Sequence, residues 1–295
     1  MRTTSFLGDK PVRRIGFGAM QLAGPGVFGP PRDPAAARAV LRRAVELGVD
    51  HIDTSQYYGP DVVNRQIREA LAPYPAGLRL VSKVGARRDD EGAWLPAQRP
   101  EELRAGVEQN LATLGVDALA AVNLRLLDGA GVPLAEQLGT MEDLRREGKI
   151  EAIGISNADA ATVEEALELV ELACVQNAFS IVQRDAQDTL ELCVERDIAF
   201  VPFFPLGSAF TGGPAAIAAD PDVARVAAKH GATTSQVALA WLLHRDPRIL
   251  LIPGTSSVAH LEENLGAAEL ALDDEDLAAL DAVRQAAGPL HAGRE

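Results

Sequence analysis

The sequence is poor in residues that define several protein classes. Its 295 residues include only two cysteines, Cys174 and Cys193, and each lies in an apolar segment where a buried reduced thiol is expected. No run approaches the roughly 20 apolar residues of a membrane-spanning helix, and the first ten residues lack the apolar core of a secretion signal. We therefore expect a cytoplasmic protein that does not associate with a membrane.

Positive charge is also scarce, with 28 Lys and Arg against 42 Asp and Glu, giving a net charge of −14. A field of this sign repels phosphate backbones, so nucleic acid is not an expected partner. The five histidines are scattered and neither cysteine belongs to a Cys-x-x-Cys pair, so we predict no metal site. No G-x-S-x-G motif is present, which leaves a hydrolase unsupported.

Short apolar runs alternate with longer amphipathic stretches along the whole chain. The eight runs that we interpret as strands cover residues 14–20, 50–53, 79–83, 119–125, 151–156, 172–176, 198–202 and 249–253. Two of the predicted helices cover residues 34–47 and 100–114, and Gly115 suits the end of the second. Eight β-α units predict one closed parallel (β/α)8 TIM barrel domain over residues 1–295.

A doubly wound open sheet is the weaker interpretation, because no G-x-G-x-x-G motif opens a helix. Segments 85–99 and 207–214 are predicted to be loops over the carboxyl end of the barrel, where substrate contacts usually lie. Plain solvated linkers are the alternative for both segments. Residues 273–286 are predicted to form a helix after the eighth unit.

A carboxylate, a phenol and an amine follow the second and third predicted strands, as Asp53, Tyr58 and Lys83. In a parallel barrel the carboxyl ends of the strands share one opening, so these three side chains are expected to meet. An adjacent ammonium would lower the pKa of a tyrosine, and a carboxylate could anchor that ammonium. Such a tyrosine can protonate a carbonyl oxygen. Taken singly, Asp53 could equally be a turn or helix cap and Lys83 a solvated charge.

Further motifs follow later strands: Gly154-Ile155-Ser156-Asn157, Val175-Gln176-Asn177, Pro202-Phe203-Phe204-Pro205-Leu206-Gly207 and Ile252-Pro253-Gly254-Thr255-Ser256-Ser257. Together with Asp53, Tyr58 and Lys83, they resemble the aldo-keto reductases over essentially the whole chain. That family consists of single-domain barrels that move hydride between a nicotinamide cofactor and a carbonyl group. The resemblance implies that Tyr58 is the general acid, assisted by Asp53 and Lys83.

The resemblance also implies a cofactor site. It assigns the nicotinamide amide to Ser156, Asn157 and Gln176, a stacked ring to Phe203, and the pyrophosphate to Leu206, Gly207 and Ser208. It assigns the adenosine end to Gly254, Thr255, Ser256, Ser257, His260, Glu263 and Asn264. NADPH is the implied cofactor; NADH is the alternative, since neither Gly254 nor Ser256 supplies the cation that many members place near a 2′-phosphate.

The chain departs from the family pattern after the fourth predicted strand, where most members carry a catalytic histidine and this sequence has Arg125. A guanidinium is permanently charged and offers five donors. With segments 18–33, 83–88 and 251–261, this arginine resembles a bacterial subgroup, the pyridoxal reductases, which implies NADPH-dependent reduction of pyridoxal to pyridoxine. Arg125 could read the ionised ring oxygen of that substrate, or it could pair with an acidic residue of the barrel wall.

Three other expectations accompany this interpretation. A broad-specificity aldehyde or ketone reductase is one alternative function, and a cofactor-binding regulatory or sensor barrel with little turnover is another. Trp94 is either a wall of the substrate site or an anchor for its loop, and His51 is expected to pack in the core. The resemblance implies a monomer that acts on a small-molecule aldehyde.

Overall fold

A computed structural model describes residues 3–208 and 211–285 of the chain. The strands are β1 (Thr4–Leu7), β2 (Lys10–Arg13), β3 (Phe17–Gly18), β4 (His51–Asp53), β5 (Arg79–Arg88), β6 (Trp94–Ala97), β7 (Ala121–Arg125), β8 (Ile153–Ser156), β9 (Cys174–Gln176) and β10 (Ala199–Phe200). The α-helices are α1 (Pro34–Glu46), α2 (Val62–Leu71), α3 (Pro100–Leu114), α4 (Leu134–Arg146), α5 (Ala160–Leu169), α6 (Gln187–Glu195), α7 (Gly213–Ala219), α8 (Pro221–His230), α9 (Thr234–Arg245), α10 (Val258–Gly266) and α11 (Asp274–Asp281).

The strands β3, β4, β5, β7, β8, β9 and β10 pair in that order, and every pairing is parallel. Segment 249–251 completes the sheet, because Ile249 makes a parallel bridge to Phe200 and Leu251 makes one to Ile15. The sheet therefore closes on itself through eight parallel segments, with helices on the outside. This confirms the predicted (β/α)8 barrel.

Except for β5, the regular strands are shorter than the apolar runs that predicted them. The run at 14–20 contributes only the two residues of β3 and a bridge at Ile15, and the run at 249–253 contributes bridges alone. The helix bounds were predicted more accurately than the strand bounds. Helix α1 ends one residue before its predicted end, and α3 has the predicted bounds. Gly115 ends α3 with a φ of 72°, a left-handed conformation that glycine adopts without strain.

Segment 85–99 is not the loop that the sequence predicted. The strand β5 continues past the barrel and pairs antiparallel with β6, from Gly85 opposite Ala97 to Arg88 opposite Trp94. Gly85 permits this exit, because its φ is 100° and a Cβ there would lie 2.3 Å from the carbonyl oxygen of Arg125. The hairpin was missed because Pro96 and the polar 89–93 turn hide the short strand pattern.

A second hairpin, formed by β1 and β2, plugs the amino-terminal end of the barrel. Leu7 and Val12 from this hairpin pack in one buried cluster with the barrel-interior side chains Val81, Val201 and Leu250. The opposite, carboxyl end of the barrel is therefore the end available for a ligand. In the described part of the chain, no helix is both long and apolar enough to span a bilayer.

The last described helix, α11, lies within the predicted 273–286 segment, of which residue 286 falls outside the described ranges. Its Asp276 carboxylate is fully buried and bonds to Lys229 Nζ at 2.8 Å and His230 Nε2 at 2.6 Å, both on α8. Burial disfavours the charged form, but the hydrogen bonds from Lys229 and His230 outweigh it and hold the pKa of Asp276 at about 2.

We expect Asp276→Asn to lower the free energy of unfolding by about 2 kcal/mol at pH 7, because the variant loses a charged bonding partner in the interior. The folded pKa lies below the ordinary value, so the stabilisation is present above about pH 4 and is lost as the pH falls toward 2. Urea denaturation at pH 7 and pH 3 measures both effects. The exposed Asp274→Asn variant is the control, and an equal loss in the two variants would contradict the prediction.

Candidate active site

A cavity of about 420 Å³ opens at the carboxyl end of the barrel. The predicted site residues on its wall are Asp53, Tyr58, Lys83, Trp94, Arg125, Gln176, Phe203, Leu206, Gly207 and Gly254. Another depression, of about 670 Å³, lies beside Phe6, Leu169 and Arg248 and contains none of the predicted site residues. The structure thus brings residues from six widely separated segments of the sequence into one pocket.

The floor of this pocket is a buried ion pair between Lys83 on β5 and Asp53 at the end of β4. Lys83 Nζ donates to Asp53 Oδ1 and also to the carbonyl oxygen of Thr54 at 3.1 Å. The second carboxylate oxygen accepts a bond of 2.9 Å from Gln176 Nε2, which reaches across from β9. Both charges are buried away from water, so each is stabilised by the other rather than by hydration.

Tyr58 lies directly above this pair, with its ring centroid 5.0 Å from Lys83 Nζ. Its pKa is raised well above the ordinary value, first because burial disfavours the phenolate and second because Asp53 repels it; Arg125 acts in the opposite direction. The shift is opposite to the one expected from an adjacent ammonium, because burial and the charge of Asp53 outweigh the favourable cation. The hydroxyl is therefore protonated at neutral pH.

Arg125 ends β7 and lies on the pocket wall, with its guanidinium carbon 5.3 Å from the ring centroid of Phe203. Its backbone is fixed by Gln98, whose amide donates to the Arg125 carbonyl oxygen at 2.8 Å. Arg125 is the cation whose charge favours the phenolate form of Tyr58. The structure thus places at this strand end a permanent charge that acts on the tyrosine.

A buried polar network holds the loop that carries the tyrosine. Thr54 Oγ1 donates to Asn64 on α2, and Asn64 donates to Asn110 on α3 at 2.9 Å. Asn110 in turn accepts from Ser82 on β5 at 2.6 Å and donates to Gln56 at 2.7 Å. Sequence reasoning missed this network, although asparagines among the apolar positions of two helices were a signal for it.

The outer wall of the pocket is a stack of aromatic and cationic side chains. The rings of Tyr57 and Trp94 meet edge to face at 5.3 Å, and Arg88 lies over Trp94 at 4.2 Å. Arg88 also donates to the carbonyl oxygens of Gly26 and Val27 at 3.0 and 3.1 Å. Trp94 is therefore both a pocket wall and an anchor for its hairpin. Tyr57 was not among the residues predicted for the site.

Three residues predicted to bind the cofactor carry buried polar atoms that make no hydrogen bond within the described residues. These atoms are Ser156 Oγ, Gln176 Oε1 and Ser208 Oγ. Buried polar atoms are nearly always bonded, so such atoms fit a polar ligand, and Gln176 of the three lies on the pocket wall. Asn157 instead donates to the Leu126 carbonyl oxygen at 3.0 Å and has a φ of 64°.

The residues predicted to bind adenosine gather at the first turns of α10, beside the pocket. Ser257 Oγ caps the helix by accepting from the backbone N–H of His260, and Thr255 Oγ1 accepts from that of Ser257 at 3.0 Å. Glu263 accepts a bond of 2.6 Å from Thr233, the residue that caps α9. Among the remaining members Ser256 is exposed and Asn264 is buried.

The other reactive side chains lie away from this pocket. His51 is buried inside the barrel with Nδ1 3.2 Å from Asp50. Burial raises the pKa of both Cys174 and Cys193 to about 12, so neither thiol is activated. Among the described residues, no three His, Cys, Asp or Glu side chains gather as a metal site would require.

Comparison with known proteins gives one consistent result. A model of the aldo/keto reductase family matches residues 14–285. Pyridoxine 4-dehydrogenase from Escherichia coli (strain K12) is 50% identical over 285 residues, which are 95% of this chain and 98% of that protein.

Solved structures with the same fold include a thermostable aldo-keto reductase crystallised with epalrestat, with a TM-score of 0.79 and 27% identity over 95% of this chain and 99% of that one. An aldo/keto reductase from Klebsiella pneumoniae in complex with NADP and acetate has a TM-score of 0.77 and 24% identity, covering 98% and 100% of the two chains.

We expect Lys83→Met to lower the free energy of unfolding by about 3–5 kcal/mol, because it leaves the Asp53 charge buried and unpaired. Adding Asp53→Asn to that variant should recover part of the loss, since the orphaned charge is then removed. A double-mutant cycle by chemical denaturation measures this coupling. The exposed pair of Arg104 and Glu147, 2.7 Å apart, should give a much smaller coupling in the same cycle. Strict additivity at Asp53 and Lys83 would contradict the prediction.

Proposed function

The chain belongs to the aldo/keto reductase family, and from this premise we propose that it is an NADPH-dependent reductase that converts pyridoxal to pyridoxine. It is an oxidoreductase of carbonyl or CH–OH groups; the cofactor, the substrate and the residue roles are our proposal. The observation that carries the proposal is the meeting of buried Tyr58, the Lys83–Asp53 pair and Arg125 in one pocket. The relation to the E. coli pyridoxine 4-dehydrogenase supports the choice of substrate.

The residues present fit a nicotinamide cofactor, because three unpartnered buried polar atoms lie among the residues proposed to hold it. Ser156, Asn157 and Gln176 would hold the carboxamide, and Phe203 would stack on the nicotinamide ring. Leu206, Gly207 and Ser208 would lie at the pyrophosphate. When bound, the cofactor supplies the hydride that reduces the carbonyl carbon.

The adenosine end would be held by the residues at the start of α10, which are Gly254, Thr255, Ser256, Ser257, His260, Glu263 and Asn264. Ser257 caps the amino terminus of α10 and Gly254, Thr255 and Ser256 directly precede it, a position that favours a phosphate group. The exposed Ser256 and His260 offer polar groups near the end of the groove. We propose NADPH over NADH from the likeness to the pyridoxine dehydrogenase.

Tyr58 would donate its proton to the carbonyl oxygen as negative charge develops there. Its raised pKa keeps the hydroxyl protonated at neutral pH, and the charge of Arg125 favours the phenolate that remains after donation. Lys83 would contribute as a fixed cation beside the ring, held there by Asp53. The Lys83–Asp53 pair would thus give Tyr58 a preformed electrostatic environment.

Arg125 would bind the ring oxygen next to the aldehyde of pyridoxal. A 3-hydroxypyridine is substantially ionised at neutral pH, and a guanidinium forms strong charge-assisted hydrogen bonds to such an oxygen. The rest of the wall is mostly apolar, with Met20, Val27, Leu127 and Phe203 around the opening. That apolar wall favours the second candidate function, a reductase of many aldehydes and ketones for which pyridoxal is one substrate.

We expect pyridoxal to be reduced with consumption of NADPH, faster than simple aromatic or aliphatic aldehydes, and Tyr58→Phe to lower kcat at least about 100-fold because the proton donor is lost. The measurement is the absorbance decay of NADPH, with NADH in parallel. Equal rates with all aldehydes would contradict the preference for pyridoxal and support the second candidate function, the broad-specificity reductase. Tight NADPH binding without decay would contradict both and favour a regulatory protein.

We expect Arg125→His to lower kcat/KM for pyridoxal relative to benzaldehyde by about tenfold or more, because a charged hydrogen bond to the ring oxygen is lost. Initial rates with both aldehydes give this ratio. The matched control is Arg87→His, which changes an exposed arginine on β5. If the ratio is unchanged in Arg125→His, the arginine does not read the ring oxygen.

A further inference from the structure

The pocket contains a second phenol, Tyr57, which the chemistry above does not use. Its side chain is only 3% exposed and lies on the pocket wall. Its hydroxyl is buried and makes no well-formed hydrogen bond within the described residues, although the Ser55 side chain lies close to it. The other polar side chains of the same loop, Thr54, Ser55 and Gln56, all have partners. A buried hydroxyl without a partner is costly, so one beside a ligand pocket points to a bond made with the ligand.

The ring of Tyr57 is held rigidly. It meets Tyr58 edge to face at 5.4 Å and Trp94 edge to face at 5.3 Å. Trp94 is fixed in turn by Arg88, which lies over its indole ring. A phenylalanine would make the same two ring contacts, so packing alone does not account for the hydroxyl.

The hydroxyl lies within the electric field of two cations of the pocket. Burial raises the pKa of Tyr57 above its ordinary value, while the charges of Lys83 and Arg125 act to lower it. Tyr57 therefore stays protonated and is available as a donor at neutral pH. Arg125 lies on the same pocket wall as Tyr57, and its guanidinium offers five donors, so the two side chains can share a ligand.

We propose that Tyr57 Oη and the Arg125 guanidinium form a two-donor site for an oxygen on the substrate ring next to the reacting carbonyl. This inference rests on the proposed function, since it places the carbonyl at Tyr58. The substrate class is that of aromatic aldehydes with an ionisable hydroxyl in the ortho position, to which pyridoxal belongs. Two donors on one anionic oxygen select this class over aldehydes that carry the hydroxyl elsewhere on the ring.

The test uses Tyr57→Phe and two isomeric substrates, 2-hydroxybenzaldehyde and 4-hydroxybenzaldehyde. We expect the wild-type protein to prefer the 2-hydroxy isomer and the variant to lose about tenfold of that preference in kcat/KM, as one hydrogen bond predicts. Tyr74→Phe is the matched control, because the Tyr74 hydroxyl bonds to the Leu114 carbonyl oxygen at 2.6 Å, away from the pocket. An unchanged isomer preference in Tyr57→Phe, or an equal loss with both isomers, would overturn the proposal.

A binding measurement separates this proposal from the proposed function. The dissociation constants of 3-hydroxypyridine and pyridine follow from quenching of the fluorescence of Trp94, which lies at the pocket, against the constant background of buried Trp241. We expect the wild-type protein to bind 3-hydroxypyridine more tightly and Tyr57→Phe to lose about tenfold of that difference. This result would support the two-donor site even if no aldehyde were reduced. Equal binding of the two compounds by the wild-type protein would overturn it.

Discussion

The buried contact between Lys83 and Asp53 is the constraint on which the rest of the pocket depends. It joins the ends of two neighbouring strands, and Gln176 ties the same carboxylate to a third strand across the barrel. Burial and the charge of Asp53 raise the pKa of Tyr58, and Arg125 acts to lower it, whereas both Lys83 and Arg125 act to lower the pKa of Tyr57.

Rigidity around this pair comes from polar groups that the barrel buries. The loop after β4 is fixed through Thr54 and Gln56 to asparagines of α2 and α3, so the two tyrosines sit on a short segment with few free backbone groups. Across the pocket, Gly18 and Gly254 approach so closely that a Cβ on either would lie 2.3–2.4 Å from a carbonyl oxygen of the other segment. A fully bonded network of this kind fixes one arrangement of the site, since any partly bonded alternative leaves buried polar groups unsatisfied.

The sequence predicts those features that depend on local pattern. Asp53, Lys83, Arg125 and Gln176 line one pocket, as their places on the predicted strands require, because the carboxyl ends of the strands in a parallel barrel share one opening. The pKa of Tyr58 shifts in the direction opposite to the one expected, because the shift depends on how deeply the phenol is buried and on its approach to Asp53, which only the folded chain sets. The 85–99 hairpin and the position of Tyr57 on the pocket wall were not predicted, because each depends on contacts that only the folded chain makes.

A permanent cation in this pocket provides local attraction for an anionic group in a chain whose net charge is −14. Among the residues that the structure describes, the ionisable side chains on the pocket wall other than the phenols are Asp53, Lys83 and Arg125, which sum to a charge of +1. Salt screens the field of distant surface carboxylates over roughly 10 Å, whereas a partly buried guanidinium is screened much less. An anionic ring oxygen would therefore be attracted by the Arg125 guanidinium once it is inside the pocket. This favours selection by position on the ring, for which a permanently charged guanidinium on the same wall as the phenols is better suited than an imidazole that titrates near neutral pH.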